Sequence, residues 1–302
     1  MAIVVFGSIN MDLVARVPRL PSPGETLTGH GFFTAPGGKG ANQAVACARL
    51  GAATRMIGRV GDDAFGGELR SSLQGYGVDT SGVAVHPGAA SGVAVITVDD
   101  AAENEIIVVP GANGVVGRED LARLEAALDG ARVLLLQLEV PLDGVVAAAE
   151  MGRRRGVRVI LDPAPAQPLP GALYAAVDIL TPNESEAAAL VGFPLDGPDT
   201  IVRASQTLLS RGARSVIVKL GGKGVFWSNG RESAHFSTFP VAAIDSVGAG
   251  DAFNGGLAVG LSDGLDMAAA IRWGLAAGAL SVTKSGAQPS MPDRAAVVEI
   301  LG

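Results

Sequence analysis

The sequence predicts an α/β fold in which a mostly parallel central sheet carries helices on both faces. Short apolar runs rich in β-branched residues recur along the chain, and such runs are typical of strands buried on both faces. They begin near Ile3, Arg55, Val133, Val157, Asp178 and Ser215. Between most of them lie segments with Ala and Leu at helical spacing, several of which end at Gly. Strands that alternate with helices in this way usually form a parallel sheet.

Two segments break this alternation and predict a second, smaller sheet. Residues 11–34 contain DLVARV and ETLTGHGFF around the turn-forming PRLPSPGE, and residues 91–110 contain GVAVITV and NEIIVVP around the polar tip DDAAEN. Alternating residues on either side of a turn are typical of β-hairpins. We therefore expect one α/β domain over residues 1–302, with these two insertions forming a β lid. Because exposed sheet edges are often covered by another subunit, we also expect a homodimer through the lid.

Composition narrows the class of protein. Hydrophobic residues make up 48% of the 302 residues and charged residues 18%, which argues against disorder. The net charge is −7 and Arg153–Arg155 is a short basic cluster, so we expect no nucleic-acid partner. A single cysteine, Cys47, excludes an internal disulfide and lies in an apolar helical pattern. Apolar runs are too short for a bilayer span or a secretion signal, so we expect a cytoplasmic protein with no membrane partner.

Several common nucleotide and metal motifs do not occur in the sequence. It has no G-x-x-x-x-G-K-[ST], which excludes a P-loop kinase. The first strand is followed by GSINMD instead of G-x-G-x-x-G, which weakens a dinucleotide oxidoreductase interpretation. His30, His86 and His235 lie far apart without metal-ligand spacing, so we assign them no catalytic role.

The most informative segment is AIDSVGAGDAFNGGLAVGL, which starts at Ala243. Gly248, Ala249 and Gly250 allow a tight turn, and the following apolar pattern predicts a helix beginning near Asp251. Backbone N–H groups at a helix start bind anions, and a carboxylate there can accept a proton from a hydroxyl group. Phosphoryl transfer needs this combination. An Asp at a helix start is also a common N-cap, and the residues alone leave both interpretations open.

Five motifs, in order along almost the whole chain, resemble the ribokinase-like (PfkB) carbohydrate kinases, whose fold is Rossmann-like. They are GSINMD from Gly7, APGGKGANQAVACARLGA from Ala35, LQLEVP from Leu136, GAGD from Gly248 and KSGAQPS from Lys284. One such motif would carry little information, whereas five in the same order are highly specific. The resemblance implies transfer of the γ-phosphate of ATP to the 5-hydroxyl of D-ribose, a step of D-ribose catabolism, with Asp251 as the general base.

The resemblance also implies a sugar site, made of Asn10, Asp12, Gly38, Lys39, Gly40, Asn42, Glu139 and Asp251. Asn10 and Asp12 follow the carboxyl end of the first strand, where open α/β sheets bind ligands, although a plain turn is an alternative. Glu139 follows an apolar strand and should be exposed at the same edge, where a carboxylate accepts well from sugar hydroxyls. The glycine-rich turn 37–40 would let the backbone approach the sugar, or would only begin a helix.

For ATP, the residues implied by the resemblance are Asn183, Lys219, Gly221, Gly222, Gly224, Gly250 and Leu275. Lys219 occupies a position that is often Thr in the family, and Leu275 is apolar where some members are polar. We therefore expect Leu275 to contact the base by packing. Glu186 matches the position associated with Mg²⁺, which needs few carboxylates because it keeps waters and phosphate ligands. The acidic segment PNESE is equally typical of a helix cap.

A monovalent-cation loop is the last site that the resemblance implies, with K⁺ as an activator. Its ligands would be backbone oxygens of Val247, Ser281, Lys284 and Gly286 and side-chain oxygens of Asp245 and Ser290. The ion would fix the loop that holds the anion without touching the substrate.

Other functions remain open on the same fold. They are kinases for deoxyribose, fructose or a nucleoside such as adenosine, and a non-catalytic sugar-binding protein. Asp251 argues against the last, because a binding protein needs no base. Phe32 and Phe33 in the first insertion leave the nucleoside alternative open, since aromatic side chains could hold a base.

Overall fold

The strands and helices follow the predicted order in a computed structural model that describes residues 2–101 and 103–302. The strands are β1 (Ala2–Phe6), β2 (Asn10–Val17), β3 (Gly31–Gly37), β4 (Ala53–Gly61), β5 (Asp79–His86), β6 (Gly92–Asp99), β7 (Asn104–Val109), β8 (Ala131–Leu136), β9 (Arg158–Leu161), β10 (Ile179–Leu180), β11 (Val216–Lys219), β12 (Val225–Ser228) and β13 (Ser233–Phe236). The α-helices are α1 (Lys39–Arg49), α2 (Ala64–Gly75), α3 (Arg118–Ala127), α4 (Leu142–Arg154), α5 (Gly171–Ala176), α6 (Glu184–Val191), α7 (Pro198–Ser210), α8 (Ala249–Ser262), α9 (Met267–Ser281) and α10 (Arg294–Leu301).

Among the described residues, nine strands form the central sheet, in the order β13-β12-β11-β10-β9-β8-β1-β4-β5. Neighbouring strands from β11 to β5 pair in parallel, while β12 and β13 run antiparallel at one edge. Strand β1 illustrates why these strands pair in parallel inside the protein. All five of its residues, AIVVF, are buried. A parallel strand covered on both faces requires such a continuous apolar run. The predicted mostly parallel sheet is confirmed.

Helices cover both faces of this sheet, as predicted. Ile3 and Val5 point to a core built with α1, α2, α8, α9 and α10. Val4 and Phe6 point to the opposite core, built with α3 to α7. Successive side chains of a strand alternate between faces, so one strand contributes to both cores. Cys47 is buried in the first core, as expected. In the part of the chain that the structure describes, no helix is both long and apolar enough to cross a bilayer.

The two predicted insertions form a separate four-stranded sheet in the order β3-β2-β6-β7. Strands β2 and β3 pair antiparallel, as do β6 and β7, and β2 joins β6 in parallel. The predicted polar tip, residues 99–104, contains Ala102, which lies outside the described residues. Phe32, Phe33 and 106–109 are exposed on this sheet. The small sheet therefore carries an exposed apolar surface.

Candidate active site

Polar side chains collect where the parallel strands of the central sheet end. Ser8 is the second residue after β1, while Gln137 and Asp162 directly follow β8 and β9. All three side chains are buried. The N-termini of α1 and α8 lie beside them, since Ala41 N donates to Ser8 O and Gln43 bonds to Asp251. Ligands of open α/β sheets bind at such carboxyl ends. Asp251, which the sequence predicts as a site residue, therefore lies at the expected edge of the sheet.

Asp251 lies inside the first turn of α8 and does not cap it. The helix begins at Ala249, and its N-cap is Gly248 in the left-handed conformation, with φ of 77°. The predicted start near Asp251 was therefore two residues late, and the N-cap interpretation of Asp251 is wrong. Its carboxylate instead accepts hydrogen bonds from Asn42 Nδ2 at 3.0 Å and Gln43 Nε2 at 3.0 Å. The carboxylate is thus held by two amides of α1.

The environment of Asp251 prepares it to accept a proton. Burial raises the pKa of Asp251 to about 6, and the charge of Asp162 adds to this effect. The charge of Lys39 and the two amide hydrogen bonds act in the opposite direction. A base is most effective when its pKa lies close to the working pH, so a raised pKa suits this role.

One cation, Lys39, stands among the carboxylates of the predicted sugar side. Burial lowers the pKa of the Lys39 ammonium, but the charges of Asp251, Asp162 and Glu139 outweigh burial and hold the pKa above its ordinary range. Burial, followed by the charges of Glu139 and Asp251, raises the pKa of Asp12 to about 7. The site therefore combines a fixed cation with a carboxyl group that titrates near neutrality.

Glu139 and Asn10 are more enclosed than the sequence predicts. Strand β8 ends three residues before Glu139, which is half-buried instead of exposed at the edge. Its Oε2 accepts from Ser8 Oγ at 2.5 Å and from the backbone N–H of Lys39 at 3.0 Å. Asn10 is 2% exposed, and its Oδ1 accepts from Asn113 Nδ2 at 2.7 Å. Both side chains therefore also fix the loops that surround the site.

Glycines at the start of α1 have a packing role. Gly38 is the N-cap, with φ of 87°, and a Cβ added there would lie 2.7 Å from the backbone nitrogen of Asn10. A Cβ on Gly40 would lie 2.7 Å from the backbone nitrogen of Ser8. The helix therefore begins in direct contact with the chain that follows β1. This contact supports the helix-entry interpretation, and it brings Lys39 and Asn42 to the site.

A cavity of about 410 Å³ lies beside the start of α8. Six of the seven predicted ATP residues line it: Lys219, Gly221, Gly222, Gly224, Gly250 and Leu275. Its walls are completed by apolar side chains that the sequence does not predict, among them Phe239, Val241 and Val282. Leu275 is buried in this wall, as expected for contact by packing. A mostly apolar cleft of this size suits a nucleoside with its phosphates directed toward α8.

Asn183, the seventh predicted ATP residue, caps helix α6. Its Oδ1 accepts from Glu186 N–H at 2.8 Å, and Glu186 Oε2 accepts from Asn183 N–H at 2.8 Å. The capping interpretation is therefore confirmed.

Burial and the nearby charge of Asp162 raise the pKa of Glu186, while the charge of Lys219 lowers it. The described residues contain no group of three or more His, Cys, Asp and Glu side chains placed to hold a metal. Mg²⁺ fits this site only with phosphate and water as its other ligands.

Segments of the predicted monovalent-cation loop meet although they are far apart in sequence. Asp245 Oδ1 accepts from Val247 N–H at 3.0 Å, and its Oδ2 accepts from Gly286 N–H at 2.8 Å. Ser281 Oγ donates to Gly278 O, and Ser290 Oγ donates to Ala287 O, both within the same region. Lys284, also predicted there, is exposed. A Cβ on Gly248 would lie 3.1 Å from the Cα of Ala287, so this loop packs against the start of α8.

The polar residues Gln43, Gln137 and Asp162 belong to the site although the sequence does not predict them, and the same holds for Ser8. Gln43 Nε2 donates to Asp251 and also to Asp162 Oδ2 at 3.1 Å, and Gln43 Oε1 accepts from Gln137 Nε2 at 2.6 Å. Gln137 and Asp162 are the first residues after β8 and β9. The rule that singled out Asn10 and Asp12 would have found them if it had been applied to every parallel strand.

Comparison with known proteins identifies the family. The model of the pfkB family carbohydrate kinases matches residues 2–294. The chain belongs to this family. Ribokinase of Haemophilus influenzae is 42% identical to this carbohydrate kinase over 299 residues, covering 99% of this chain and 98% of that protein. Deoxyribokinase of Salmonella typhi is 39% identical over 293 residues, covering 97% and 96%.

The carbohydrate kinase also has the fold of its solved relatives. A structure of Arabidopsis thaliana ribokinase complexed with ribose and ATP superimposes with a TM-score of 0.92 at 36% identity, covering 99% of this chain and 98% of that one. A ribokinase from Thermotoga maritima gives a TM-score of 0.90 at 38% identity, covering 99% of each chain. The ribokinase-like α/β fold and the phosphotransferase class predicted from the sequence are confirmed.

Proposed function

We propose that this carbohydrate kinase transfers the γ-phosphate of ATP to the 5-hydroxyl of D-ribose. The observation that carries the proposal is the position of Asp251. Gly250 lines the cavity on one side, while the carboxylate of Asp251 meets Asn42 and Gln43 on the other. The start of α8 therefore touches both halves of the site. A donor phosphate and an acceptor hydroxyl would meet there.

In the proposed mechanism, Asp251 takes the proton of the sugar hydroxyl as the hydroxyl attacks the phosphorus in line. The N–H groups of residues 248–251 and the helix dipole stabilise the developing phosphate charge. Mg²⁺ held near Glu186 would neutralise phosphate charge when bound. Closure of the small sheet would exclude water, which otherwise competes as an acceptor.

The acceptor side suits a small sugar with several hydroxyl groups. Asp12, Lys39 and Glu139 lie close enough for their charges to act on Asp251 or on one another, and Asn42 bonds to Asp251. Together with Asn10 and the glycine turn 37–40, they offer hydrogen-bond donors and acceptors in one partly buried cluster. Carboxylates and an ammonium make strong hydrogen bonds to hydroxyls. Deoxyribose is the second candidate acceptor, because the deoxyribokinase of Salmonella typhi is 39% identical to this chain.

An ATP-consumption assay over a panel of pentoses, hexoses and nucleosides tests this proposal. We expect the highest kcat/KM with D-ribose, and only the slow background of ATP hydrolysis when no acceptor is present. A higher kcat/KM with deoxyribose, fructose or adenosine would move the assignment to that acceptor. No consumption above background with any acceptor would overturn the proposed function.

We propose K⁺ as an activator bound by the loop around Asp245. The loop packs against Gly248, so an ion that orders the loop would also order the anion-binding start of α8. We predict that replacing K⁺ by Na⁺ at equal ionic strength lowers kcat, since the larger ion matches the expected ring of oxygens. Equal rates in the two salts would contradict this site.

We also propose a homodimer through the small sheet. Phe32 is 69% exposed and Ile107 is 64% exposed, and exposed apolar patches of this kind are typical of interfaces. Light scattering should give twice the chain mass of 30.3 kDa. Ile107→Lys should shift the mass toward the monomer, while Val298→Lys, an equally apolar exposed site on α10, should not. A wild-type monomer at working concentration would contradict the dimer.

The cytoplasmic location of the protein stays a prediction.

A further inference from the structure

Lys219 places a positive charge between the nucleotide cavity and the base. It is the last residue of β11, and it lines the cavity while its side chain is only 13% exposed. Its Nζ donates to Asp162 Oδ1 at 2.8 Å, and the side chain of Asp162 is 2% exposed. A Cβ built on Gly250 would lie 3.3 Å from Lys219 Nζ. The ammonium therefore lies against the helix start that is proposed to hold phosphate.

A continuous chain of hydrogen bonds joins this ammonium to Asp251. One oxygen of Asp162 accepts from Lys219, and the other accepts from Gln43 Nε2 at 3.1 Å. The same Nε2 donates to Asp251 Oδ1 at 3.0 Å. Gln137 donates to the oxygen of the Gln43 amide at 2.6 Å, which fixes its orientation. The three links made by Gln43 are buried and the link from Lys219 to Asp162 is part-buried, so the positions of the cation and the base are set together.

We propose that Lys219 contacts the terminal phosphate of the bound nucleotide, and that Asp162 is the positioning residue that holds its ammonium there. This inference rests on the proposed transfer from a nucleoside triphosphate. In-line transfer brings the terminal phosphate next to the hydroxyl that Asp251 contacts, which is also next to Gly250. The ammonium would then neutralise charge on the transferring group, and Gln43 would keep the base directed at the same point.

Four variants separate this role from a purely structural ion pair. Lys219→Met removes the charge at nearly constant length, Asp162→Asn removes the opposing charge at constant shape, and a double variant removes both. Lys223→Met is the matched control, because Lys223 lies in the adjoining turn and is exposed. Each protein is examined by thermal unfolding and by equilibrium binding, without sugar, of AMP and of a non-hydrolysable ATP analogue with Mg²⁺. Steady-state kcat/KM for ATP is measured in parallel.

We expect Lys219→Met to lower the unfolding temperature, because it leaves the buried Asp162 carboxylate without its partner. The double variant should recover that temperature. Affinity for the ATP analogue should fall roughly 10–100-fold in both Lys219→Met and the double variant, the range for a charge-assisted hydrogen bond, while AMP affinity changes little. Asp162→Asn should show a smaller fall in analogue affinity, because the ammonium stays but is less well held. Lys223→Met should resemble wild type.

Recovery of both stability and analogue affinity in the double variant would reduce the pair to a structural role and overturn the proposal. An equal loss of AMP and analogue affinity would do the same, since it would indicate a distorted cavity. These binding measurements use neither sugar nor turnover. They therefore stand even if the panel assay reassigns the acceptor, and a failure of the proposed acceptor remains distinguishable from a failure at Lys219.

Discussion

Replacing Asp251 by Asn should lower kcat by roughly 10²–10⁴-fold with little change in sugar affinity, the range for loss of a general base. Asn keeps the size of the side chain, and its oxygen can still accept from Asn42 or Gln43. It cannot take the proton of the acceptor hydroxyl. Steady-state kinetics with ATP and D-ribose, and calorimetric titration of the sugar, measure the two effects separately.

Asp251 should also control the acid limb of the pH profile. Burial raises the pKa of Asp251 to about 6, so the base becomes protonated and inactive as the pH falls through that value. We expect kcat/KM to decrease below about pH 6 in wild type, and this limb to be absent from the residual activity of Asp251→Asn. Asp263→Asn is the control, because Asp263 ends α8 in an exposed ion pair with Arg294. Turnover near wild type in Asp251→Asn would remove the residue from the base role.

Gly38→Ala should cause the second large effect, a loss of roughly 2–5 kcal/mol in the free energy of unfolding together with most of the turnover. The backbone at Gly38 has φ of 87°, a conformation that strains residues with a Cβ, and the new Cβ would lie 2.7 Å from Asn10 N. The three nearest atoms all belong to the backbone of residues 8–10, which has little room to relax. The start of α1, which carries Lys39, Asn42 and Gln43, would have to shift relative to residues 8–10, and its bonds to Asp251 would be disturbed.

Gly67→Ala is the matched control for this substitution. Gly67 lies within α2, and an added Cβ there meets no atom within 4 Å. The change should leave turnover unaltered and raise stability by up to about 1 kcal/mol, because Ala favours the helix more than Gly does. Thermal and chemical unfolding with activity assays measure both variants. Wild-type stability in Gly38→Ala would contradict the packing role given to the glycine turn.

Much of the fold could be predicted because its signals are local. The run AIVVF identifies a strand buried on both faces, and α4 and α7 follow from apolar spacing within a dozen residues. The alternation of residues in the two insertions, and the turn residues between their strands, predict their β structure. The pairing of β2 with β6, which unites them into one sheet, links residues about eighty positions apart and has no local signal.

The sequence predicts many residues of the site, but it does not predict the hydrogen bonds that join them. Whether Asp251 caps α8 depends on where the helix begins, and the φ of Gly248 decides this. The partners of Asp251 lie more than two hundred residues earlier in the chain, so no spacing reveals them. Glu139 is half-buried because β8 ends sooner than its apolar pattern suggests, and the chain then turns toward Ser8. Such contacts depend on how separate elements pack.

The most direct test of the account is the identity of the product formed from ATP and D-ribose. ³¹P and ¹H NMR of the reaction mixture should show ADP and a sugar phosphate in equal amounts, with the phosphorus coupled to the two protons on C5. The Asp251→Asn variant should form the same product far more slowly. Phosphate on another hydroxyl, or ADP accompanied only by inorganic phosphate, would contradict the proposed function.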